Sequence, residues 1–410
     1  MSNSPDNWIR DYILLAFRVD RLFRKQTHSY LVDYYYGPPE WQQAVQAEPE
    51  SEPVQLVKQA EKLQAYLPGQ EFDRERENFL QKQVFALHTL CRKLSGEVFS
   101  LAEEVERCLD VRPYWIPEEQ FDQALAIYRD ILPGKGSLAD RYQLWRSRYD
   151  FPAEKVHLLM EIIEDLLIET RARCAAFLDL PEGDHVQLAG AHDKRFGAAN
   201  WYLGNFSSRM EVNLDRPLRL PRLIQLICHE LYPGHHTEFV LKEKHLFRGK
   251  GYLEQSIFLL MTPQLTITEG IAMQAAAMLF EPGEAESYLV EHIFPKLDVA
   301  GDPHTIALLS TADHFLEGIS GNAAMMLHAG RPDQEVIQYL MHYTLDSEAR
   351  ISQWFPMLKI PFLEAYTFSY FLGKRLMAPL LKGDNRHHFF QRFLTEPVTP
   401  SDLVNPAWSS

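Results

Sequence analysis

The segment LIQLICHELYPGHHTEFVLKE, residues 223–243, concentrates the chemistry of this chain of 410 residues. An apolar run leads into the adjacent pair His229 and Glu230, and a Pro-Gly pair precedes His235 and His236. Neutral imidazoles are ligands for zinc, and a carboxylate beside the metal can act on water. Burying such polar groups without partners would cost several kcal/mol. The segment therefore predicts a metal site on a helix within an apolar core.

The spacing of these histidines departs from the usual zinc-helix pattern, in which two histidines lie four residues apart on one face. Here the second histidine comes six or seven residues after His229. Those offsets are rises of about 9 and 10.5 Å on an unbroken helix, which two imidazoles can barely bridge with one ion. Pro233 and Gly234 instead predict a kink or bulge. Such a bulge would return His235 or His236 to the metal, and His235 is favoured because one fewer residue must be absorbed.

A catalytic zinc needs a third protein ligand, and the best candidate lies downstream. The segment TITEGIAMQAAAMLF, residues 266–280, places Glu269 at the expected start of a helix. Its distance of 40 residues from His229 allows the chain to turn and return antiparallel. Two acidic residues closer to the histidines are rivals for this role, although each suits a solvated helix face: Glu238 and Glu243.

Composition excludes several classes of function. Hydrophobic residues make up 46% and charged residues 24%, which is typical of a globular protein with a sizeable core. The net charge of −15 argues against nucleic acid and anionic membrane surfaces as partners. No run approaches the 18–20 or so apolar residues of a membrane span, and the N-terminal apolar run is too short for a signal peptide. We expect a cytoplasmic protein whose four cysteines are buried thiols.

Helical periodicity dominates the chain and predicts a mainly α fold. Alternating apolar residues predict a single strand over residues 206–213, a small β element before the metal-binding helix. A boundary near residue 181 would separate a helical N-terminal region, 1–180, from a metal-binding catalytic region, 181–410. The alternative is one continuous fold around a cleft.

The motifs HELYPGHH and TEGIA resemble a bacterial family called domain of unknown function 885, which is recognised by HExxPGHH and a later Glu-Gly segment. Further segments that resemble blocks of this family extend the likeness over nearly the whole chain: YYYGPPEW (34–41), WYLGNFSSRMEVN (201–213), GNAAMMLHAG (321–330) and EAYTFSYFLG (364–373). The family is similar to gluzincin-type zinc metallopeptidases. The resemblance implies a large helical fold like those of carboxypeptidase Taq and neurolysin-like enzymes.

The resemblance also implies roles for individual residues. One zinc would be bound by His229, by His235 or His236, and by Glu269, with Glu230 as the general base. A hydrogen-bond donor would stabilise the oxyanion, and Tyr366 or Tyr370 is a candidate because the two lie one helical turn apart. The alternative for each tyrosine is packing in the core.

Three polar residues are candidates for binding substrate. In gluzincins an edge strand beside the metal helix pairs with the substrate backbone, and the strand at 206–213 is the candidate here. Asn205 and Arg209 are polar at this strand, and Arg209 or Arg350 would suit a substrate carboxylate. Surface charge without function is the alternative for these residues.

The leading hypothesis is a zinc-dependent peptidase that hydrolyses small peptides. A zinc hydrolase of another amide or ester shares the same metal chemistry. A binding or scaffold protein that kept the fold and lost catalysis is a third possibility, but the candidate base and all candidate ligands are present in the sequence.

Overall fold

A computed structural model describes residues 5–194, 196–215, 218–405 and 408. Helices hold 65% of the residues and strands 8%, which confirms the mainly α class with a small β element. Within these residues, no helix is long and apolar enough to cross a membrane. All four cysteines are buried free thiols, as expected.

The longest connection between helices of the described residues, 176–222, holds three of the strands. The helices are α1 (Pro5–Thr27), α2 (Pro39–Ala47), α3 (Pro53–Tyr66), α4 (Arg74–Leu94), α5 (Leu101–Leu109), α6 (Glu118–Ile131), α7 (Leu138–Ser147), α8 (Leu159–Ala175), α9 (Leu223–Glu230), α10 (His235–Lys242), α11 (Pro263–Leu279), α12 (Glu284–Tyr288), α13 (Pro303–Phe315), α14 (Ile319–His328), α15 (Asp333–Thr344), α16 (Glu348–Trp354), α17 (Thr367–Met377), α18 (Arg386–Thr395) and α19 (Pro400–Leu403).

Two small sheets lie among the helices. One pairs β1 (Val32–Tyr35) antiparallel with β5 (Ile257–Leu259). The other has the order β2-β4-β3, with β2 (His185–Ala191) parallel and β3 (Ala198–Gly204) antiparallel to the central β4 (Ser207–Asn213). The sequence predicted only β4, because the other strands are short, aromatic or rich in glycine and lack a clear alternation.

A continuous apolar core joins the two regions that the sequence separated near residue 181. Its buried members extend from Trp8 on α1 to Leu403 on α19. Pairing of β1 with β5 also crosses this position, as does the packing of α6 against α13. The regions 1–180 and 181–410 therefore share one core, which encloses the segment that carries the histidines.

Helices α11 and α17 approach each other closely at two glycines. A Cβ atom built on Gly373 would lie 2.3 Å from the carbonyl oxygen of Thr266, and one on Gly270 would lie 2.8 Å from the backbone of Gly373. Only glycine at both positions permits this separation. The contact matters for the site because Glu269 lies on α11, and Tyr366 and Tyr370 lie at the start of α17.

Replacing Gly373 with alanine tests this packing. Helix propensity alone would favour alanine by about 1 kcal/mol. The clash with backbone atoms is larger, so we expect Gly373→Ala to lower the free energy of unfolding in urea by about 1–3 kcal/mol. Gly69→Ala is the control, because a Cβ there meets no atom within 4 Å. Equal stability of the two variants would contradict the close approach.

Candidate metal centre

The junction between α9 and α10 is a compact bulge of four residues, 231–234. The amide of Leu231 still donates a helical hydrogen bond to Ile227, at 2.8 Å. The amide of Gly234 then folds back and donates to the carbonyl of Cys228, at 2.9 Å. A Cβ on Gly234 would lie 2.0 Å from the carbonyl oxygen of His229, so only glycine fits. The bulge that the Pro-Gly pair predicted is therefore present.

The bulge absorbs the extra residues between the histidines. The ring centroids of His229 and His235 lie 4.6 Å apart with their planes at 81°. His229 stands on the last turn of α9 and His235 on the first turn of α10. A six-residue spacing thus brings the imidazoles together as a four-residue spacing does on a regular helix.

Glu269 completes a cluster of three potential metal ligands. Its Oε2 lies 3.6 Å from Nε2 of His229 and 3.9 Å from Nε2 of His235. Together with one ligand atom from each histidine, it forms the group that could hold a metal ion among the described residues. Ligand atoms of a tetrahedral zinc with bonds of about 2.0–2.1 Å lie roughly 3.3 Å apart. The separations of Glu269 from the two histidines exceed that spacing by about 0.3 and 0.6 Å, and all three ligand atoms lie within 4.8 Å of one another.

The position of Glu269 within its helix differs from the expectation. Helix α11 begins at Pro263, one residue after Thr262, and Glu269 lies in its interior. Proline is favoured in the first turn of a helix, so the helix starts earlier than the TITEG segment suggested. An interior position holds the carboxylate more rigidly than a frayed end would.

The chemical state of the cluster suits a metal ion. Burial lowers the pKa of His229 to about 4 and that of His235 well below its usual value, so both imidazoles are neutral at pH 7. Glu269 Oε2 is buried and has no hydrogen-bond partner among the described residues. Burial and the nearby Glu230 carboxylate raise the pKa of Glu269 well above its usual value. A divalent cation would satisfy the bare oxygen and offset this repulsion.

His236, the other alternative for the second histidine, lies outside the group formed by His229, His235 and Glu269. Its Nδ1 is 2.7 Å from Oγ of Ser208 on β4, and its Nε2 is 3.8 Å from Asp184. Asp184 also accepts hydrogen bonds from Arg171 and Tyr232. Adjacent helical residues point about 100° apart, so anchoring His236 in this network turns His235 toward His229.

The two acidic residues that were rivals of Glu269 form hydrogen bonds with neighbouring elements and not with the histidines. Glu238 accepts hydrogen bonds from Lys242 and, at 2.8 Å, from Thr268 on α11. Glu243 accepts from the Tyr202 hydroxyl at 2.6 Å and from Arg248 at 2.7 Å. Neither is a solvated helix-face charge, because both are buried. The contact between Glu238 and Thr268 ties α10 to α11 next to Glu269.

Glu230 lies beside the cluster as a buried carboxylate that is 8% exposed. The backbone N–H of Asn200 on β3 donates a hydrogen bond to it. Burial, with a contribution from the Asp33 carboxylate, raises its pKa to about 8. Its charge in turn raises the pKa of Glu269, so the two carboxylates are close neighbours.

Both candidate tyrosines reach the same place. The Tyr366 hydroxyl donates to Oε1 of Glu269 at 3.3 Å, and the Tyr370 hydroxyl donates to the Tyr366 oxygen at 3.4 Å. The ring of Tyr370 also stacks near that of His229, with 6.5 Å between centroids. The two hydroxyls thus lie next to a metal-ligand candidate rather than in a purely apolar core.

The three candidate substrate-binding residues have local partners. Asn205 accepts a hydrogen bond from Arg248 at 2.9 Å, Arg209 pairs with Glu211 at 3.0 Å, and Arg350 lies 3.7 Å from Asp150. Across the described ranges, none of their contacts leads to the histidines or to Glu269. The edge-strand prediction for 206–213 is wrong, because β4 is the central strand and both of its sides are paired. The edge strand next to the cluster is β3.

Two further residues act on Glu230 and were not predicted from the sequence. Asn200 on β3 donates its backbone N–H to Glu230, and Asp33 on β1 acts electrostatically on the same carboxylate. A signal for Asp33 was the single carboxylate in the apolar and aromatic run LVDYYYG, residues 31–37. Asn200 carries no such signal, because a backbone hydrogen bond does not depend on the side chain.

Comparison with known proteins adds a likeness of fold. No family model matches the chain, and no curated protein matches it. Among solved structures, the chain is similar to a protein of Colwellia psychrerythraea described as a "putative lipoprotein", with 16% identity and a TM-score of 0.51. The match covers 86% of this chain and 65% of the other, so the chain spans less than two thirds of that protein. At this identity the likeness shows the fold alone.

Substitution of the adjacent histidines separates a metal ligand from a structural anchor. We expect zinc binding, measured by elemental mass spectrometry after dialysis, at one ion per chain in the wild type. His235→Ala removes a ligand and should weaken binding by at least 100-fold. His236→Gln is the matched control and should keep the stoichiometry, because its partners are Ser208 and Asp184. Loss of zinc in His236→Gln with retention in His235→Ala would contradict the assignment.

Proposed function

We propose that the protein is a zinc-dependent peptidase of small peptides, related to the HExxPGHH proteins that its motifs resemble. The observation that carries the proposal is the convergence of His229, His235 and Glu269 beside the buried carboxylate of Glu230. Two neutral imidazoles and one carboxylate are a donor set that suits zinc and leaves a position for water.

Each residue has a distinct task in the proposed reaction. When bound, zinc would supply Lewis-acid activation of water and of the substrate carbonyl. Glu230 accepts the proton of the attacking water and then delivers it to the leaving amine. The N–H of Asn200 orients the Glu230 carboxylate for both transfers. Burial raises the pKa of Glu230 to about 8, close enough to neutral pH for the carboxylate to gain and lose a proton in one cycle.

The tyrosines supply the remaining electrostatic stabilisation in this proposal. Negative charge develops on the carbonyl oxygen as water attacks, and a fixed hydroxyl donor stabilises it. Tyr366 and Tyr370 both lie at the cluster. Each has one hydroxyl proton, which it could donate to the substrate oxygen in place of its present acceptor. Tyr366 donates its proton to the Glu269 carboxylate, whereas Tyr370 donates to the uncharged Tyr366 hydroxyl, so Tyr370 is the freer of the two.

Access to the site supports a peptide as substrate. The side chains of His229 and His235 are 19% and 13% exposed and that of Glu269 is 5% exposed, so the histidines are the members of the cluster that solvent reaches. Strand β3 at the sheet edge packs against α9 and α10 and offers backbone groups to an extended peptide. The buried free thiols suit the reducing cytoplasm as the place of action.

The proposal is tested by hydrolysis of a library of short peptides, with amide and ester substrates alongside. We expect zinc-loaded wild-type protein to cleave peptides. Glu230→Gln removes the base and should lower kcat by about 10²–10⁴-fold while zinc binding remains. Glu291→Gln, an exposed residue, is the control and should keep full activity.

Three results would count against the peptidase. Cleavage of esters or non-peptide amides alone would favour the other zinc hydrolase. Full activity in Glu230→Gln would exclude its role as base. No hydrolysis of any substrate by zinc-loaded protein would favour a binding protein that kept the fold.

A further inference from the structure

Helix α9 has one solvent-exposed face, and the metal-ligand candidate His229 lies at one end of it. The face consists of Arg222, which directly precedes the helix, and of the partly exposed residues Gln225, Leu226 and His229. Offsets of three, four and seven residues place side chains on the same side of a helix. Every other residue of α9 is buried. The face therefore extends over two turns, about 10.5 Å, from the cluster to Arg222.

Helix α17 lies across from this face. Both α9 and α17 pack on α11, and the ring of Tyr370 lies 6.5 Å from that of His229. One turn further along α17, Lys374 is partly exposed as well. The exposed sides of the two helices thus flank a groove that begins at the cluster.

The C-terminal turn of α13 joins the far ends of both helix faces. Asp313 accepts a hydrogen bond from Arg222 at 2.5 Å, and Glu317 accepts one from Lys374 at 2.6 Å. These two acidic residues lie one turn apart, because the amide of Glu317 still bonds back along the turn. Arg222 and Lys374 therefore lie at the same end of the groove, about two turns of α9 away from His229.

Arg222 is fixed in place by its ion pair and keeps further donors. Its side chain is 51% exposed, and its bond to Asp313 uses one of the five N–H groups of a guanidinium. No other described residue accepts a hydrogen bond from it. Asp313 also accepts from the Tyr128 hydroxyl at 2.6 Å, and the positive charge of Arg219 acts on it. One aspartate thus offsets the charge of two arginines.

A carboxylate is the ligand that this end of the groove suits. Three cations, Arg219, Arg222 and Lys374, share the carboxylates of Asp313 and Glu317, although the chain as a whole carries a net charge of −15. A guanidinium binds a carboxylate through charge-assisted hydrogen bonds, and a fixed one loses less side-chain freedom on binding. An extended peptide rises about 3.4 Å per residue, so a carboxylate at Arg222 would lie about three residues from the bond at the cluster.

We propose that Arg222 binds a carboxylate of the substrate at the far end of this groove, an inference that rests on the proposed peptidase function. The carboxylate comes from one of two sources, the free C-terminus of the peptide or the side chain of an aspartate or glutamate. The first source makes the protein an enzyme that cleaves about three residues before the C-terminus. The second gives it a preference for acidic peptides.

Binding without turnover tests the proposal. The experiment uses zinc-loaded Glu230→Gln protein and titration calorimetry with three probes: N-acetyl-pentaalanine, its C-terminal amide, and N-acetyl-Ala-Ala-Ala-Glu-Ala amide. We expect one of the two peptides that carry a carboxylate to bind about 10- to 100-fold more tightly than the uncharged amide. Adding Arg222→Gln should abolish that preference and leave the affinity for the uncharged amide within about threefold. Tight binding of N-acetyl-pentaalanine identifies the C-terminus as the source, and tight binding of the glutamate peptide identifies the side chain.

Two variants control for the loss of the ion pair. Arg222→Gln combined with Asp313→Asn removes both charges together, so no unpaired carboxylate is left, and this pair should also lose the preference. It decides the test should Arg222→Gln alone fail to fold. Arg331→Gln removes a surface arginine that is 60% exposed and paired with Glu335, and it should keep the preference.

Two results would overturn the proposal. One is a preference that survives the loss of Arg222, because the carboxylate then binds zinc or another group. The other is equal or undetectable binding of all three peptides. Hydrolysis by zinc-loaded wild-type protein is measured separately. Cleavage that does not depend on Arg222 contradicts the carboxylate site alone, whereas a carboxylate preference without cleavage of any peptide contradicts the peptidase alone.

Discussion

The site depends on the close approach of Gly234 to the end of α9. The backbone of this residue lies so near the carbonyl oxygens of Cys228 and His229 that no side chain fits. This contact lets the chain return to the helix axis within four residues, so that α10 starts with His235 facing His229. A Pro-Gly insertion would otherwise part the two imidazoles by about 9 Å or more. Gly234 thereby allows two histidines six residues apart to face each other as a pair of potential metal ligands.

A second constraint is electrostatic. Glu230 and Glu269 are buried close together, and each raises the free energy of the other's charged form. The fold tolerates them because rigid partners surround them, such as the Asn200 amide and the hydroxyls of α17. Such a cluster of buried carboxylates and neutral imidazoles is costly without a cation. Metal binding should therefore contribute to folding stability as well as to chemistry.

Features set by residues close together in the sequence could be predicted, whereas features set by contacts between distant segments could not. Features that depend on neighbouring residues were predicted correctly. Periodicity predicted the helical class, and Pro233-Gly234 predicted the bulge. The preference for His235 followed from chain length alone, and the structure places it in the cluster while Ser208 and Asp184 hold His236. Whether a buried histidine faces a metal or an aspartate depends on contacts from distant segments, which spacing along the chain does not contain.

The order of strands in the sheet was not predicted from the sequence. The alternation in 206–213 predicted a strand but not its neighbours, so its central position and the edge position of β3 were not foreseen. Asn205, Arg209 and Arg350 looked like free polar groups in the sequence, whereas the fold gives each a local partner.

The most direct test of this account is anomalous diffraction at the zinc absorption edge from crystals grown with zinc. We expect one strong peak about 2.0–2.2 Å from Nε2 of His229, Nε2 of His235 and an oxygen of Glu269. A peak at His236 and Asp184, or density showing no metal between His229 and His235 in crystals that bind zinc elsewhere, would contradict it.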